Sequence, residues 1–347
     1  MKIIVDIMGG DNAPDEILKG VCLAAQEFNA TFILVGNRDE IERVAVENAL
    51  DVRRFDVVHA ESAIAMEDDP LCVVRSKSDS SMAVALRLLS EGAGDALVSA
   101  GNTGALFTGA TLIVRKIKGI LRAGIATVLP FENPVLLLDT GANVTVTEEN
   151  LEQFAVMGST YMKKLLGVEM PRVGILNNGT EACKGTELQQ KAYRLIGENP
   201  DIRFVGNVEG NAVPYGACDV LVTDGFTGNV FLKAVEGVSK FLMTKLKDVF
   251  YSSPSAKIAA LTVKKPLTAM KKSLDSKEYG GAPILGISKP VIKAHGSSDA
   301  LALKNAIRQA IFFANSDLIY DLAGSAQEYA ARRKAEHDRQ KAEQTAE

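Results

Sequence analysis

The sequence predicts an α/β protein of three layers, α/β/α: a mostly parallel sheet covered by helices on both faces, with a protruding helical hairpin. Three observations predict it. Short, near-continuous apolar runs such as Ile3–Val5, Val135–Leu138 and Val220–Val222 read as strands buried on both faces. Longer amphipathic stretches separate them, as in alternating βα units. Strand after strand then opens into a small polar loop rich in Gly, Asn, Asp and Thr before the next helix. The amino-terminal ends of helices expose unpaired N–H groups that favour anions, so repeated loops of this kind predict one anion-handling cleft beyond the strands' carboxyl ends.

Taken in order, residues 2–7 form a first strand and Met8-Gly9-Gly10-Asp11-Asn12-Ala13 a loop. Pro14 then starts a helix with Asp15 and Glu16 in its first turn, which suits both proline and the helix dipole. Thr31–Val35 and Phe55–His59 are the next strands, and a helix is expected over 70–90. Residues 95–99 form a strand that turns through Ala100-Gly101-Asn102-Thr103-Gly104 into a helix. Val135–Leu138 is followed by Asp139-Thr140-Gly141-Ala142-Asn143, with Thr147 placed to cap the helix beyond. Val173–Leu176 leads into Asn177–Gly185, and Thr186-x-x-Gln189 reads as a capping box. Val220–Val222 leads into Thr223-Asp224-Gly225-Phe226-Thr227-Gly228-Asn229, which opens a long amphipathic helix.

Composition bounds the function classes. The chain has 347 residues, 47% of them hydrophobic and 24% charged, with a net charge of −4. That balance fits a soluble globular protein and gives no electrostatic footprint for nucleic acid. The four cysteines form no C-x-x-C pair and read as reduced thiols. The amino terminus carries no signal peptide pattern, and no run reaches the roughly 18 apolar residues a membrane span requires. A cytoplasmic location is expected.

One segment departs from the rest. Residues 245–277 hold eight lysines against two aspartates. Phe250, Tyr251, Leu261, Val263, Leu267 and Met270 add apolar surface, and Pro254 and Pro266 are expected to break the segment into short helical pieces. It reads as a basic amphipathic hairpin. Membrane contact is expected through Leu261, Val263, Lys264, Lys265, Leu267 and Met270; the bland alternative is an ordinary surface or dimer-interface hairpin. The main unit spans 1–323, divisible into interleaved parts of about 1–100 plus 275–323 and about 101–250. Residues 324–347 form a charged tail, read as a solvated helix end or disorder.

The Met8–Asn12 loop is not a G-x-G-x-x-G fingerprint, and no P-loop, nucleophile elbow or metal-ligand spacing occurs. Lys184, between Cys183 and Gly185, is either a surface lysine or a cation for a phosphate or an oxyanion. Asn229 can donate to a carbonyl oxygen at a helix start. His295 lies between strand and helix in Ala294-His295-Gly296-Ser297-Ser298-Asp299, where a satisfied structural histidine is the competing reading.

Seven stretches together resemble the bacterial phosphate acyltransferases of phospholipid synthesis. They are Met8–Pro14, Ser99–Ala105, Asp139–Asn143, Lys184-Gly185, Asp224–Asn229, Gly280-Gly281-Ala282-Pro283 and His295-Gly296-Ser297, in order from Met1 to about Ala323. The resemblance implies a fold shared with isocitrate and isopropylmalate dehydrogenases and phosphotransacetylases. It implies transfer of a fatty acyl group from acyl carrier protein to inorganic phosphate, and the acyl phosphate then serves a membrane-bound glycerol-3-phosphate acyltransferase. It implies a homodimer, peripheral at the cytoplasmic face of the membrane, with no cofactor beyond the carrier's phosphopantetheine thioester. On this alignment Asn229 and Lys233 stand where the dehydrogenases carry metal-binding carboxylates, so metal-free chemistry is expected. Lys184, Asn229, His295 and Asp224 are the expected catalytic residues. Gly10, Asp11, Asn12, Gly101, Asn102, Thr103, Gly104, Asn143, Gly225, Thr227 and Gly228 are the expected substrate and phosphate contacts. The competing classes are a decarboxylating oxidoreductase of the same fold group and a non-catalytic membrane-associated binding protein.

Overall fold

A computed structural model describes residues 1–273 and 280–346, without the side chains of 258, 261, 268, 269, 271–273 and 334–346. Among the described residues eleven strands make one sheet. In chain order they are β1 (Lys2–Asp6), β2 (Thr31–Gly36), β3 (Asp56–His59), β4 (Ala96–Ser99), β5 (Gly124–Leu129), β6 (Val135–Leu138), β7 (Arg172–Asn177), β8 (Arg203–Glu209), β9 (Val220–Val222), β10 (Ala282–Leu285) and β11 (Val291–Lys293). Across the sheet they run β3-β2-β1-β4-β11-β10-β5-β6-β9-β7-β8.

Most neighbours are parallel, as near-continuous apolar strands require. Three central pairings are antiparallel: β11 with β10, β10 with β5, and β5 with β6. The strands from β3 to β11 therefore point one way and those from β6 to β8 the other. The polar loops accordingly form two clusters, one at the carboxyl ends of β1, β4 and β11 and one at those of β6, β9 and β7.

The described residues form ten α-helices: α1 (Asp15–Glu27), α2 (Arg38–Glu47), α3 (Ser81–Ser90), α4 (Thr103–Gly109), α5 (Glu148–Leu166), α6 (Glu187–Gly197), α7 (Gly225–Tyr251), α8 (Pro254–Ser273), α9 (Ala300–Asn315) and α10 (Leu318–Ala346). The expected caps form. Thr147 makes a reciprocal box with Asn150, and Thr186 one with Gln189. Core side chains line both faces of the strands. Phe32, Phe154, Phe313 and Ile3 are among the largest fully buried.

The helix expected over 70–90 is two pieces. Pro70–Val74 is a 3-10 turn, and the α-helix starts afresh at Ser81. Ser80 accepts from the Ala83 N–H and caps it. The basic segment differs as well. Pro254 begins α8, and Pro266 lies inside that helix rather than ending it. The described hairpin is thus two long helices. The buried residues of α7, Gly225, Gly228 and Leu232, all lie near its start, so its remainder stands away from the core. No described helix is long and apolar enough to cross a membrane. Leu261's side chain, those of Lys271 and Lys272, and residues 274–279 lie outside what is described. The helix α10 runs through residue 323. It buries Leu318, Leu322, Ala326 and Tyr329, and Arg332 pairs with Glu152 of α5 and with Asp201.

Candidate active site

The first cluster is a floor of three interlocked loops. The Asp11 N–H donates to the Gly296 carbonyl at 2.8 Å, and the Asn12 side chain donates to the Ser298 carbonyl at 3.2 Å. Close approach explains the glycines. A Cβ at Gly9 would meet Asp6 Oδ2 at 2.6 Å and the Gly101 nitrogen at 2.7 Å. Gly10 has φ +114°, a conformation that L side chains rarely adopt. Asp11, Asn12, Thr103 and His295 are exposed on this floor. Asn102 is not free to bind: its oxygen caps α4 through Ala105 N–H, and its nitrogen donates to the carbonyls of Ala65, Met66 and Asp68. Its amide ties the loop before Pro70 to the floor. Gly101 packs under Met82 and Gly104 against Pro70. His295 Nδ1 faces the Ser297 hydroxyl at 3.0 Å.

Two buried charges lie beneath this floor, and sequence reasoning did not single out either. Asp6 ends β1 and accepts from Ser81 at 2.6 Å and Ser99 at 2.7 Å. Burial raises its pKa, with those hydrogen bonds and Lys293 pulling the other way. Lys293 ends β11 and is 7% exposed. Its ammonium donates to the carbonyls of Ala100 and Ala294. Burial lowers its pKa to about 8, opposed by Asp6 and Asp11 and reinforced by Lys233. The one legible signal was a charge terminating an otherwise apolar strand just before a small-residue loop.

The second cluster centres on Asp139, also passed over as a site residue. Its carboxylate accepts from the N–H groups of Ile125, Ala142 and Asn143 and from the Asn143 side chain. Burial raises its pKa against those four donors. Asn143 in turn donates to the Ala123 carbonyl at 2.7 Å, and its own carbonyl accepts from Gly225 N–H at 2.7 Å. That bond docks the start of α7 onto the Asp139 loop. A Cβ on Gly225 would strike the Asn143 backbone, and one on Gly228 the Asp139 carbonyl oxygen.

Asp224 is the cap of α7. One oxygen accepts from Thr227 N–H at 2.8 Å and the other from the Thr227 hydroxyl at 2.7 Å. Asn229 is exposed in the first turns of α7, with its side chain facing Gly141. Lys184 sits in the exposed loop after β7, at the same sheet edge as Asn143 and Asn229 but in no recorded contact with either. Its ammonium has no ion-pair partner among the described residues. Lys233, four residues past Asn229 on α7, acts electrostatically on Lys293.

The arrangement offers exposed amides, hydroxyls and ammonium groups on two rigid floors. Such a cleft can hold an anion and stabilise an oxyanion. Among the described residues the one imidazole nitrogen beside a serine hydroxyl is His295 Nδ1 against Ser297, two residues along the same loop. Cys183 is exposed, and the other three thiols are buried.

This chain is similar to known proteins over most of its length. A family model described as fatty acid synthesis protein matches residues 1–320. A phosphate acyltransferase from Clostridioides difficile (strain 630) is 43% identical over 324 residues, covering 93% of this chain and 95% of that protein. One from Bacillus licheniformis is 47% identical over 313 residues, covering 89% and 93%. Among solved structures, a phosphotransacetylase from Streptococcus pyogenes superposes with a TM-score of 0.61 at 17% identity, covering 94% of each chain. A branched-chain phosphotransacylase from Enterococcus faecalis V583 gives 0.57 at 17%, covering 91% and 99%. At that identity the solved structures speak for the fold alone.

Proposed function

The chain belongs to the phosphate acyltransferase family, and from that premise we propose that this acyltransferase moves a fatty acyl group from acyl-carrier-protein thioester to inorganic phosphate. The observation that carries the reading is kinship over almost the whole chain, including every loop of both clusters. A phosphate oxygen attacks the thioester carbonyl, and a tetrahedral oxyanion forms. The C–S bond then breaks, its electron pair leaves on sulfur, and the proton carried by hydrogen phosphate ends on the departing thiolate. Phosphate is already anionic at neutral pH, so positioning matters more than deprotonation. Asn229 donates to the carbonyl or phosphate oxygen, and Lys184 supplies the mobile cation. The attack is direct, with no metal and no acyl-enzyme.

Two further parts belong to the same reading. A homodimer is supported by the apolar face of α7, where Val238, Phe241 and Leu242 are each more than half exposed. Peripheral contact with the cytoplasmic leaflet is supported by the lysine-rich hairpin. It would deliver acyl phosphate, which hydrolyses readily, to a membrane-bound glycerol-3-phosphate acyltransferase.

The test is incubation with acyl-carrier-protein thioester and labelled phosphate, with and without chelator. Chelator-resistant formation of labelled acyl phosphate is expected. Its absence, with the protein folded, overturns the reading. An acyl adduct on Cys183 by intact-mass spectrometry overturns the direct mechanism.

A further inference from the structure

Beside Asn143 lies a cavity of about 160 Å³. That is room for roughly five waters, about the size of one phosphate group with its first hydration partners or carbon atoms. Phe107 and Leu121 give it apolar walls, Lys116 and Arg122 two cations, and Thr111 and Asn143 polar groups. No carboxylate lines it.

Three features mark it as built. The first is an unpaired hydroxyl: Thr111 Oγ1 is shielded from solvent and has no hydrogen-bond partner among the described residues. A buried hydroxyl without a partner is costly, and a ligand atom that reached it would relieve that cost. Thr111 is carried on a π-helical turn, Ala110–Val114, that continues α4. Such wide turns are rare and concentrate at functional sites. It ends at Arg115, a non-glycine residue at φ +76°, a further local cost.

The second is the rigidity of the loop that bears both cations. Buried Gln153 of α5 accepts from Leu121 N–H at 2.7 Å and donates to the Gly119 carbonyl at 2.8 Å. Ile117 N–H donates to the Gly286 carbonyl at 2.9 Å. The Lys116 ammonium donates to the Leu121 carbonyl at 2.6 Å and is bound to no carboxylate. Arg122 has no ion-pair partner among the described residues. An exposed loop held this firmly by a buried side chain is preorganised, which lowers the entropy cost of binding.

The third is continuity with the second cluster. The Ala123 carbonyl, next to Arg122, accepts from the Asn143 side chain. Arg122 is therefore fixed relative to the loop on which α7 docks.

We propose that this cavity binds a phosphate group, with Arg122 and Lys116 as its cations and the Thr111 hydroxyl as a third donor. Two positive charges match a hydrogen phosphate dianion, and a guanidinium can meet two phosphate oxygens at once. The group has two sources in the proposed reaction, inorganic phosphate and the phosphodiester of the carrier's phosphopantetheine arm. Only this choice of donors rests on the function proposed above.

The test separates them. Titration calorimetry of the full chain uses inorganic phosphate and, separately, 4′-phosphopantetheine. At least one is expected to bind, at least tenfold weaker to Arg122→Ala, severalfold weaker to Thr111→Val, and partly restored in Arg122→Lys. Arg122→Gln, which keeps the side-chain stem, replaces Arg122→Ala if the latter melts early. In steady-state kinetics, a raised KM for phosphate with an unchanged KM for acyl carrier protein assigns the site to the attacking phosphate. The reverse assigns it to the arm. Binding of neither probe, or equal affinity in wild type and the arginine variants, overturns the site. Binding needs no turnover, so a chain that binds phosphate through Arg122 yet makes no acyl phosphate refutes the proposed function and leaves the site standing.

Discussion

Asp139 Oδ2 accepts two hydrogen bonds from one residue, the Asn143 backbone N–H at 2.6 Å and the Asn143 side chain at 2.9 Å. Since the Asn143 carbonyl holds Gly225 N–H, this carboxylate sets where α7 begins and hence where Asn229 stands. Asp139→Asn keeps the volume but turns one acceptor into a donor facing donors. At 1–3 kcal/mol for each buried group left unmatched, the variant loses about 3 kcal/mol of stability. Turnover falls more than tenfold with it. Urea unfolding reads the first effect, and a wild-type midpoint in the variant sinks the argument.

Lys293 makes stability depend on alkaline pH. Unfolded, its ammonium keeps its proton up to the ordinary 10.5; folded, it loses it near 8. Between those values the unfolded chain binds more protons, so stability rises with pH across the window. Below pH 8 the cost of burying the charge is carried in full. Asp6, Asp11 and Lys233 are the charges that act on it. Lys293→Met removes this dependence. From pH 7.5 to 10.5 the wild type gains up to about 3 kcal/mol relative to the variant, the full value of the shift. Chemical denaturation of both proteins at three pH values within the window checks it; parallel slopes refute it.

These two predictions rest on residues that pattern reading passed over, and the reason is physical. Periodicity reports which face of an element is buried, and it marked β1 to β4, β6, β7 and β9, the parallel majority, and the caps at Thr147 and Thr186, but not β5, β8 or β10. It does not report what a buried charge meets. Asp6 and Lys293 end apolar strands 287 residues apart in sequence, and only the order β1-β4-β11 brings them under one floor. Asn102 shows the converse. Its place in a glycine-rich helix start suggested a ligand contact, yet its amide is spent on three carbonyls and a cap. The antiparallel turn of β10 and β5 was invisible because pairing direction leaves no trace in a short apolar run. Pro266 was read as a break, but a proline within an exposed helix is tolerated at a cost of a few kcal/mol.

Lys184 tests whether the loop after β7 takes part in chemistry. It is exposed, so Lys184→Ala should leave stability within about 0.5 kcal/mol of wild type. If its ammonium stabilises the developing oxyanion, turnover drops roughly a hundredfold, the usual scale for a key electrostatic donor. A thermal melt and a turnover assay on the same preparation separate the two effects. Unchanged turnover removes Lys184 from the mechanism.

The hairpin of α7 and α8 is expected to hold the protein at an anionic membrane. Eight lysines against two aspartates between 245 and 277 give this segment a sign opposite to that of the whole chain. Each lysine near an anionic leaflet contributes about 1 kcal/mol, and salt screens it, so charge alone anchors weakly. Apolar contact has to add to it. Met270 is 40% exposed on α8, while Val249 and Tyr251 of α7 are each more than 60% exposed. The Lys247 ammonium lies 5.9 Å from the Tyr251 ring, placing a charge beside an apolar surface as an interfacial element requires. In a homodimer two such hairpins would act together, and two weak anchors bind far better than one. Flotation with vesicles containing anionic lipid should carry the wild type upward at low salt and lose it at high salt. Leu261→Glu combined with Val263→Glu should abolish flotation while leaving acyl phosphate formation from soluble substrates intact. If that variant floats as well as wild type, the hairpin is not the anchor, and its exposed apolar face is left for a partner subunit.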